Sequence, residues 1–395
     1  MKRFLSLVLI SAFLVTPAGN AATKKTAVKP LKLVTTISNK LGVAGVFALG
    51  KSLVVYGTVN QRSFARAIDL NGQDLWNISL DPNSPSIATA GSVDRAGNIW
   101  IAGSTSLERA PVTPSPTTTP LNPDSVVDTP QVFNANLNAV ALWEIPVGTT
   151  TPILYTSLQP SPVLITAMAV DTSGISLVGL TQSGKGSSSF VISASFSGEF
   201  TKPIQIGQIS TTLDAVVRHS DGTLTVTGAS AETLNGKKLV GVVDAVIIKV
   251  SKTNTVLSVV RSSAPKARRN WSTVSSTLLL GGTVITGSKI ESAVTKFSSS
   301  YVPAWTYRFG STGPVITSGS KYAFFVSTAP IAQLNNWAPK KPQPVLLIFN
   351  SKGLISGAYS APTDQLEVVA LTSSSELGIL CITTNAQSLS IYSAV

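Results

Sequence analysis

One short unit recurs along this chain, and no other feature of the sequence constrains the fold as tightly. The unit is an apolar strand, a tight polar turn, a second apolar strand ending in small residues, and a loop. Its clearest copy is IATAGSVDRAGNIWIAGSTS, residues 87–106. Residues 165–183 (ITAMAVDTSGISLVGLTQS) and 213–230 (LDAVVRHSDGTLTVTGAS) repeat it. The turn segments 94–97, 171–174 and 220–222 hold the residue types that tolerate tight reversals between paired strands. Gly103, Gly179 and Gly228, near the ends of the second strands, suit close backbone approach in a crowded interior. More degenerate copies occupy residues 47–59, 271–289, 314–329 and 366–385, which makes seven inner hairpins.

Longer, amphipathic hairpins of a second kind lie between them, as in FARAIDLNGQDLWNISL (64–80), SFVISASFSGEFTKPIQI (189–206) and VLLIFNSKGLISGAYS (345–360). Their Asn-Gly and Ser-Gly turns are hairpin signals. An inner plus an outer hairpin gives four strands, the content of a propeller blade. Six outer hairpins are complete, whereas the last unit has only one further strand, residues 388–395. The run LKLVTTIS (31–38) has no partner of its own, and pairing it beside the last strand closes the ring and removes an exposed edge. The expected fold is all-β: a seven-bladed β-propeller of four-stranded antiparallel blades over residues 31–395. A flexible segment, 22–30, precedes it, and a Pro/Thr-rich loop insertion, 107–135, interrupts it.

The inner motif VDRAGNIWIAGST resembles the bacterial β-propeller repeats of the SBBP and NHL type, and the outer motif AIDLNGQDLWNISL is similar to the PQQ-like repeat. The resemblance is loose and spans most of the chain after residue 30. It implies the propeller fold, and fold alone does not specify function. WD-repeat signatures are absent, and residues 92–97 carry one residue too many for a sialidase Asp-box.

The first residues set the expected compartment. Lys2 and Arg3 precede the uncharged apolar run 4–15, then Thr16-Pro17 and small residues lead to Ala21 and Ala22. This is the layout of a secretory signal peptide, residues 1–21, with cleavage after Ala21. The run is 12 residues long, against roughly 20 needed to span a bilayer. The expected location is secreted or periplasmic, with no transmembrane anchor in the mature protein. Thirty Lys and Arg stand against 18 acids, and losing Lys2 and Arg3 leaves a net charge of +10. That bias suits anionic partners and also plain solubility. Cys381 is alone in the apolar stretch LGILCITT, which reads as a buried, inert thiol.

Connections on one face are long and on the other minimal, and elaborated loops on a rigid scaffold are where binding concentrates. The long ones are 107–131, 233–239, 262–271 and 330–344, from blades two, four, five and six. They carry Lys237, Lys238, Lys266, Arg268, Arg269, Trp271, Trp337, Lys340 and Lys341. Cations beside aromatic rings suit anionic or sugar-rich polymers. Equally, the lysines are solvated and each Trp packs beneath its own loop. Nucleic acid fits the charge, but export argues against it.

Enzyme readings lack parts. His219 is the only histidine and falls in a tight turn, which disfavours Ser-His-Asp catalysis and histidine-based metal sites. One cysteine excludes the vicinal pair common in quinoprotein dehydrogenases, and no ligand spacing marks calcium. No catalytic residue, metal or cofactor is therefore expected. The alternative is a polysaccharide hydrolase or lyase using channel-facing carboxylates among Asp214, Asp364 and Glu367. Glu108, Asp124, Asp128 and Glu232 are loop acids with no pairing in their spacing. The expected function is a secreted, non-enzymatic binding or scaffold module at the cell envelope, engaging a protein or an anionic or glycan polymer. An assembly-factor role like that of exported PQQ-like propellers is a further reading, although those are typically lipid-anchored and no Cys lies near the cleavage site.

Overall fold

A computed structural model describes residues 25–37, 42–107, 136–183 and 186–394. The signal segment and all of the 107–135 insertion except Leu107 lie outside the described residues. The described chain is β-strand and connecting loop, and no helix in it is long and apolar enough to cross a membrane.

Five four-stranded antiparallel blades follow in chain order. Blade 1 is Val43–Leu49, Ser52–Val59, Arg62–Ile68 and Asp74–Ser79. Blade 2 is Ser86–Val93, Ile99–Thr105, Ala139–Ile145 and Ile153–Leu158. Blade 3 is Val163–Asp171, Gly174–Ser183, Gly186–Ala194 and Ile204–Ile206. Blade 4 is Thr211–Arg218, Leu224–Ser230, Asp244–Val250 and Val256–Ser262. Blade 5 is Arg268–Val274, Leu279–Thr286, Lys289–Phe297 and Pro303–Gly310. The closing blade takes Glu367–Ser374, Gly378–Thr384 and Leu389–Ser393, with Lys32–Ile37 antiparallel to the last of these. The two ends of the chain thus meet in one sheet, as the leftover strands in the sequence suggested.

The expectation of seven equivalent four-stranded blades is corrected: six blades have that form, not seven. Between blade 5 and the closing blade stands a six-stranded mixed sheet. Ile316–Ser318, Tyr322–Ser327, Gln343–Phe349 and Ile355–Ser360 are antiparallel, and Thr26–Pro30 adds in parallel to the outer edge and also pairs with Leu334–Asn335. Residues 26–30, within the segment 22–30 expected to be flexible, thus form a strand, and 22–24 lie outside the described residues. The physical reason is that an outer strand presents unpaired N–H and C=O groups, which the passing chain satisfies. Nothing in the composition of TAVKP announces that pairing. Innermost strands of successive sheets touch in chain order, and the closing blade returns to blade 1.

Local chemistry explains the regularity. Eight reversals among the described residues share one five-residue turn, beginning at Asp69, Asp94, Ser195, His219, Ser251, Ser275, Ser298 and Asn350. In each, the first residue pairs through its backbone with the fifth, and its carbonyl accepts the N–H of the fourth. The fourth residue has positive φ: Gly72, Gly97, Gly198, Gly222 and Gly353 in five, Asn254, Leu278 and Tyr301 in three. This is the three-residue hairpin loop with a left-handed residue at its end. Side chains reinforce it; Asp94 Oδ1 accepts from the Ala96 and Asn98 amides, and its Oδ2 from Trp100 Nε1 at 3.0 Å.

The inner strands of six blades share a bulge, between Val43/Gly45, Ala88/Ala90, Ile165/Ala167, Leu213/Ala215, Trp271/Thr273 and, in the closing blade, Val368/Ala370. A glycine faces the first five, and Thr383 faces the last. A Cβ on Gly228 would lie 2.0 Å from the Thr212 carbonyl oxygen, and one on Gly103 1.8 Å from that of Ile87. In those five blades the backbone at the bulge comes too close to leave room for a side chain opposite it. Second and third strands are almost wholly buried, with Trp100, Trp143, Phe324 and Phe325 among the largest enclosed side chains.

Candidate functional site

Connectivity places the five-residue turns on one face and the long connections on the other. On the loop face the junction of blades 4 and 5 is the most strongly organised region. The Arg261 side chain is 7% exposed and lies 3.3 Å from Asp244 Oδ2, whose own side chain is fully buried. Arg261 Nε donates to the Lys237 carbonyl at 3.1 Å, and Nη2 to that of Glu232. Asp244 accepts the amides of Val240 (3.0 Å) and Gly241 (2.9 Å). Glu232 accepts those of Gln208, Ile209 and Ser210, and the Thr211 hydroxyl at 2.7 Å. The Val242 amide reaches the Ala267 carbonyl at 2.9 Å. Three separate segments are thereby stitched into one surface around a buried ion pair.

The Asp244 carboxylate is buried, and that of Glu232, half-exposed beside the cleft, is occupied by neighbouring donors. Burial alone would raise the Asp244 pKa, but the Val240 and Gly241 amides, Ser263 and Arg261 outweigh it and hold it low. Burial likewise opposes ionisation of Glu232, and the Thr211 hydroxyl with three backbone amides reverses that. What remains facing solvent is positive: Lys237, Lys238, Lys266 and Arg268 are exposed, and no ion pair among the described residues involves them. A cleft of about 460 Å³ runs beside this surface along Gln205, Gly207, Glu232 and Asn235.

The nine residues singled out from sequence do not form one patch. Trp271 is 1% exposed, a core side chain of blade 5 with Phe297 edge-on to it and Nε1 bonded to Ser262 Oγ at 3.2 Å. Arg269 is half-buried with its guanidinium 5.4 Å from the Trp271 ring centre. Trp337 is 9% exposed and packs against Phe325 and Val345, with Nε1 bonded to Ser327 Oγ at 3.3 Å. Neither Trp is an open platform. The reason is area: an indole gains more by covering its blade than by standing in water. Lys340 and Lys341 are exposed on the long loop of the mixed sheet, and no hydrogen bond joins that loop to the blade 4–5 junction.

The channel acids are dispersed. Asp214, at the bulge of blade 4, has its pKa raised by burial, with the Asn270 amide opposing. Asp214 Oδ2 and Asn270 Oδ1 are buried without partners. Asp364 and Glu367 are exposed and belong to the closing blade, on the far side of the ring. Among the described residues no three His, Cys, Asp or Glu gather as a metal site. His219 sits in its turn, as the sequence indicated, with Nε2 2.7 Å from Thr225 Oγ1, itself 2.7 Å from the Tyr301 hydroxyl. Burial lowers its pKa and Lys249 adds to this, against Asp221. Cys381 is fully buried, and burial raises its pKa. The stitching residues Arg261 and Asp244 were not marked by the sequence; both occupy ordinary strand positions, and only their register brings them together.

No protein-family model and no curated protein matches this chain. Among solved structures, the WD40 domain of Toxoplasma gondii coronin is similar over 93% of this chain and 84% of that one, with a TM-score of 0.51 at 9% identity. The WD40 β-propeller domain of Doa1 (TM-score 0.48, 10% identity, covering 93% and 98%) is a weaker likeness. So is an uncharacterized protein from Listeria monocytogenes (TM-score 0.46, 10% identity, covering 91% and 93%). The class is therefore β-propeller. The SBBP, NHL or PQQ-like character of the repeats gains no match of its own.

Proposed function

We propose that this protein is an exported, non-enzymatic binding or scaffold module of the cell envelope, which engages its partner through the loop face. β-Propellers commonly serve as protein-binding scaffolds, and loops on a rigid frame are their working surface. The observation that carries the reading is the charge asymmetry at the blade 4–5 junction. Four cations face water there, while Asp244 is buried against Arg261 and the half-exposed Glu232 is occupied by backbone amides. Such a surface favours an anionic polymer or an acidic envelope protein. The signal-peptide layout of residues 1–21 supports export. A hydrolase would need two carboxyls about 5–9.5 Å apart. Asp171, the acid on the inner strand beside that of Asp214, is committed to an ion pair with Arg218 at 2.8 Å.

The test is retention of the full chain on host envelope fractions and on polyanion resin across a salt series. Retention should fall as the screening length shortens from about 10 Å at 0.1 M to about 3 Å at 1 M. The variant with Lys237→Ala, Lys238→Ala, Lys266→Ala and Arg268→Ala should elute at lower salt. Equal retention of this variant would overturn the reading.

A further inference from the structure

We infer that the blade 4–5 junction of the loop face docks on the surface of an anionic lipid bilayer. This rests on the reading of that face as the binding surface and names its partner. Two aliphatic side chains stand in solvent there beside the cations, Val240 at 64% exposure and Val242 at 46%, and a third, Ile209 at 48%, stands on the adjoining connection between blades 3 and 4. Val240 and Val242 belong to the segments that the buried pair stitches together, and Ile209 to the segment that the Glu232 carboxylate holds. Glu232 holds the Ile209 amide, Asp244 holds the Val240 amide, and Val242 hangs on Ala267, beside Lys266.

The backbone under these side chains is fixed before any partner arrives. A Cβ on Gly241 would lie 2.9 Å from the Ala264 and Ala267 carbonyl oxygens and from Asp244 Oδ1, so the turn between Val240 and Val242 is closely packed. Lys237 and Lys238 lie a few residues before Val240, on the segment whose Lys237 carbonyl Arg261 holds. Lys266 has φ +58° in its own short turn.

Charge complementarity and the aliphatics together select the occupant. A polyanion in water matches the lysines but offers no apolar phase for three exposed branched side chains. The headgroup region of an anionic bilayer offers both: phosphates for Lys237, Lys238 and Lys266, and acyl boundary for Ile209, Val240 and Val242. Asp244 is buried against Arg261, and the half-exposed Glu232 is occupied by three backbone amides and the Thr211 hydroxyl, so the cations outnumber the carboxylates on this surface.

The experiment is sedimentation of the full chain with phosphatidylcholine vesicles, with and without phosphatidylglycerol, alongside retention on immobilised polyphosphate. The expected result is binding to the anionic vesicles only. The triple variant Ile209→Ser, Val240→Ser, Val242→Ser should lose about tenfold or more in vesicle partitioning while keeping polyphosphate retention. Changing Lys237, Lys238 and Lys266 to Ala should lower vesicle partitioning about a hundredfold and polyphosphate retention with it, at roughly fivefold per cation. All six positions are exposed, and unchanged urea midpoints establish that the variants are folded. Vesicle binding unaffected by the aliphatic variant overturns the bilayer inference. So does a wild-type chain that is retained on polyphosphate yet ignores anionic vesicles, which leaves the cationic binding face standing. Failure on both matrices overturns both.

Discussion

The two faces of the ring are built by opposite rules. On the turn face, eight reversals use one five-residue design, each held by its own backbone and often by its first side chain. On the loop face, the connections differ in length and sequence, and the best-organised of them hangs on contacts between residues far apart in the chain, such as Arg261 with Glu232 and Asp244. Local chemistry repeats because each copy solves the same short-range problem. Some long-range stitching repeats as well, since the Ser106, Gln182 and Ala231 amides reach the Pro85, Pro162 and Ser210 carbonyls in blades 2, 3 and 4. The buried Arg261–Asp244 pair, however, belongs to blade 4, so that face is free to differ from blade to blade. The lesson is that a repeat fixes the scaffold, and departures from it mark where a partner is met.

The sharpest way to break this comparison is Asp244→Ala. Removing one partner of a buried pair strands the Arg261 guanidinium and frees two loop amides, for an expected loss of about 3–5 kcal/mol in urea unfolding. The corresponding cut on the turn face, Asp94→Ala, should cost about 1–3 kcal/mol, because only one turn and the buried Trp100 N–H lose their acceptor. Equal losses would mean that both faces rest on local contacts alone.

Smaller effects sharpen the same contrast. Asp214→Asn should stabilise the ring at neutral pH by about 1 kcal/mol, since it removes a carboxylate that burial disfavours and gives Asn270 Oδ1 a donor. A raised folded pKa costs stability as pH climbs above the unfolded value, so the gain should vanish in acid. Unfolding free energies at pH 7 and pH 3 decide this. Asp94, Glu232 and Asp244 behave oppositely. Their folded pKa values are lowered, so the stability they contribute is present above about pH 4 and is lost as pH falls further. The smallest expected change is Lys266→Gly, a gain under about 1 kcal/mol from relieving a left-handed non-glycine residue. That gain should come together with earlier elution from polyanion resin.

Much of the scaffold was legible in the chain itself. Asp94, Gly97 and Gly103 announce the turn and the bulge-facing glycine of blade 2, and their spacing carries over to blade 4 as His219, Gly222 and Gly228, whereas blade 3 turns more tightly, with Asp171 paired directly to Gly174. Thr26–Pro30 was not legible, because parallel pairing with Ile355–Ser360 depends on an edge present only once the sheet exists. The candidate surface divides the same way. Lys237, Lys238, Lys266 and Arg268 are visible as a basic bias in two loops. Trp271 and Trp337 misled, since an indole in a loop reads the same whether its ring faces solvent or core.

By itself, then, the sequence determined the strand-and-turn grammar, the ring architecture and the meeting of Lys32–Ile37 with Leu389–Ser393. These follow from alternation and turn residues, which act over a few positions and survive in any context. The tertiary structure alone decided the mixed six-stranded sheet, the burial of both tryptophans, and the use of buried Asp244 and half-exposed Glu232 as clamps on the loops. Each of those depends on which groups from distant segments reach one another first. Burying a charge or an indole is settled by what the rest of the fold brings beside it.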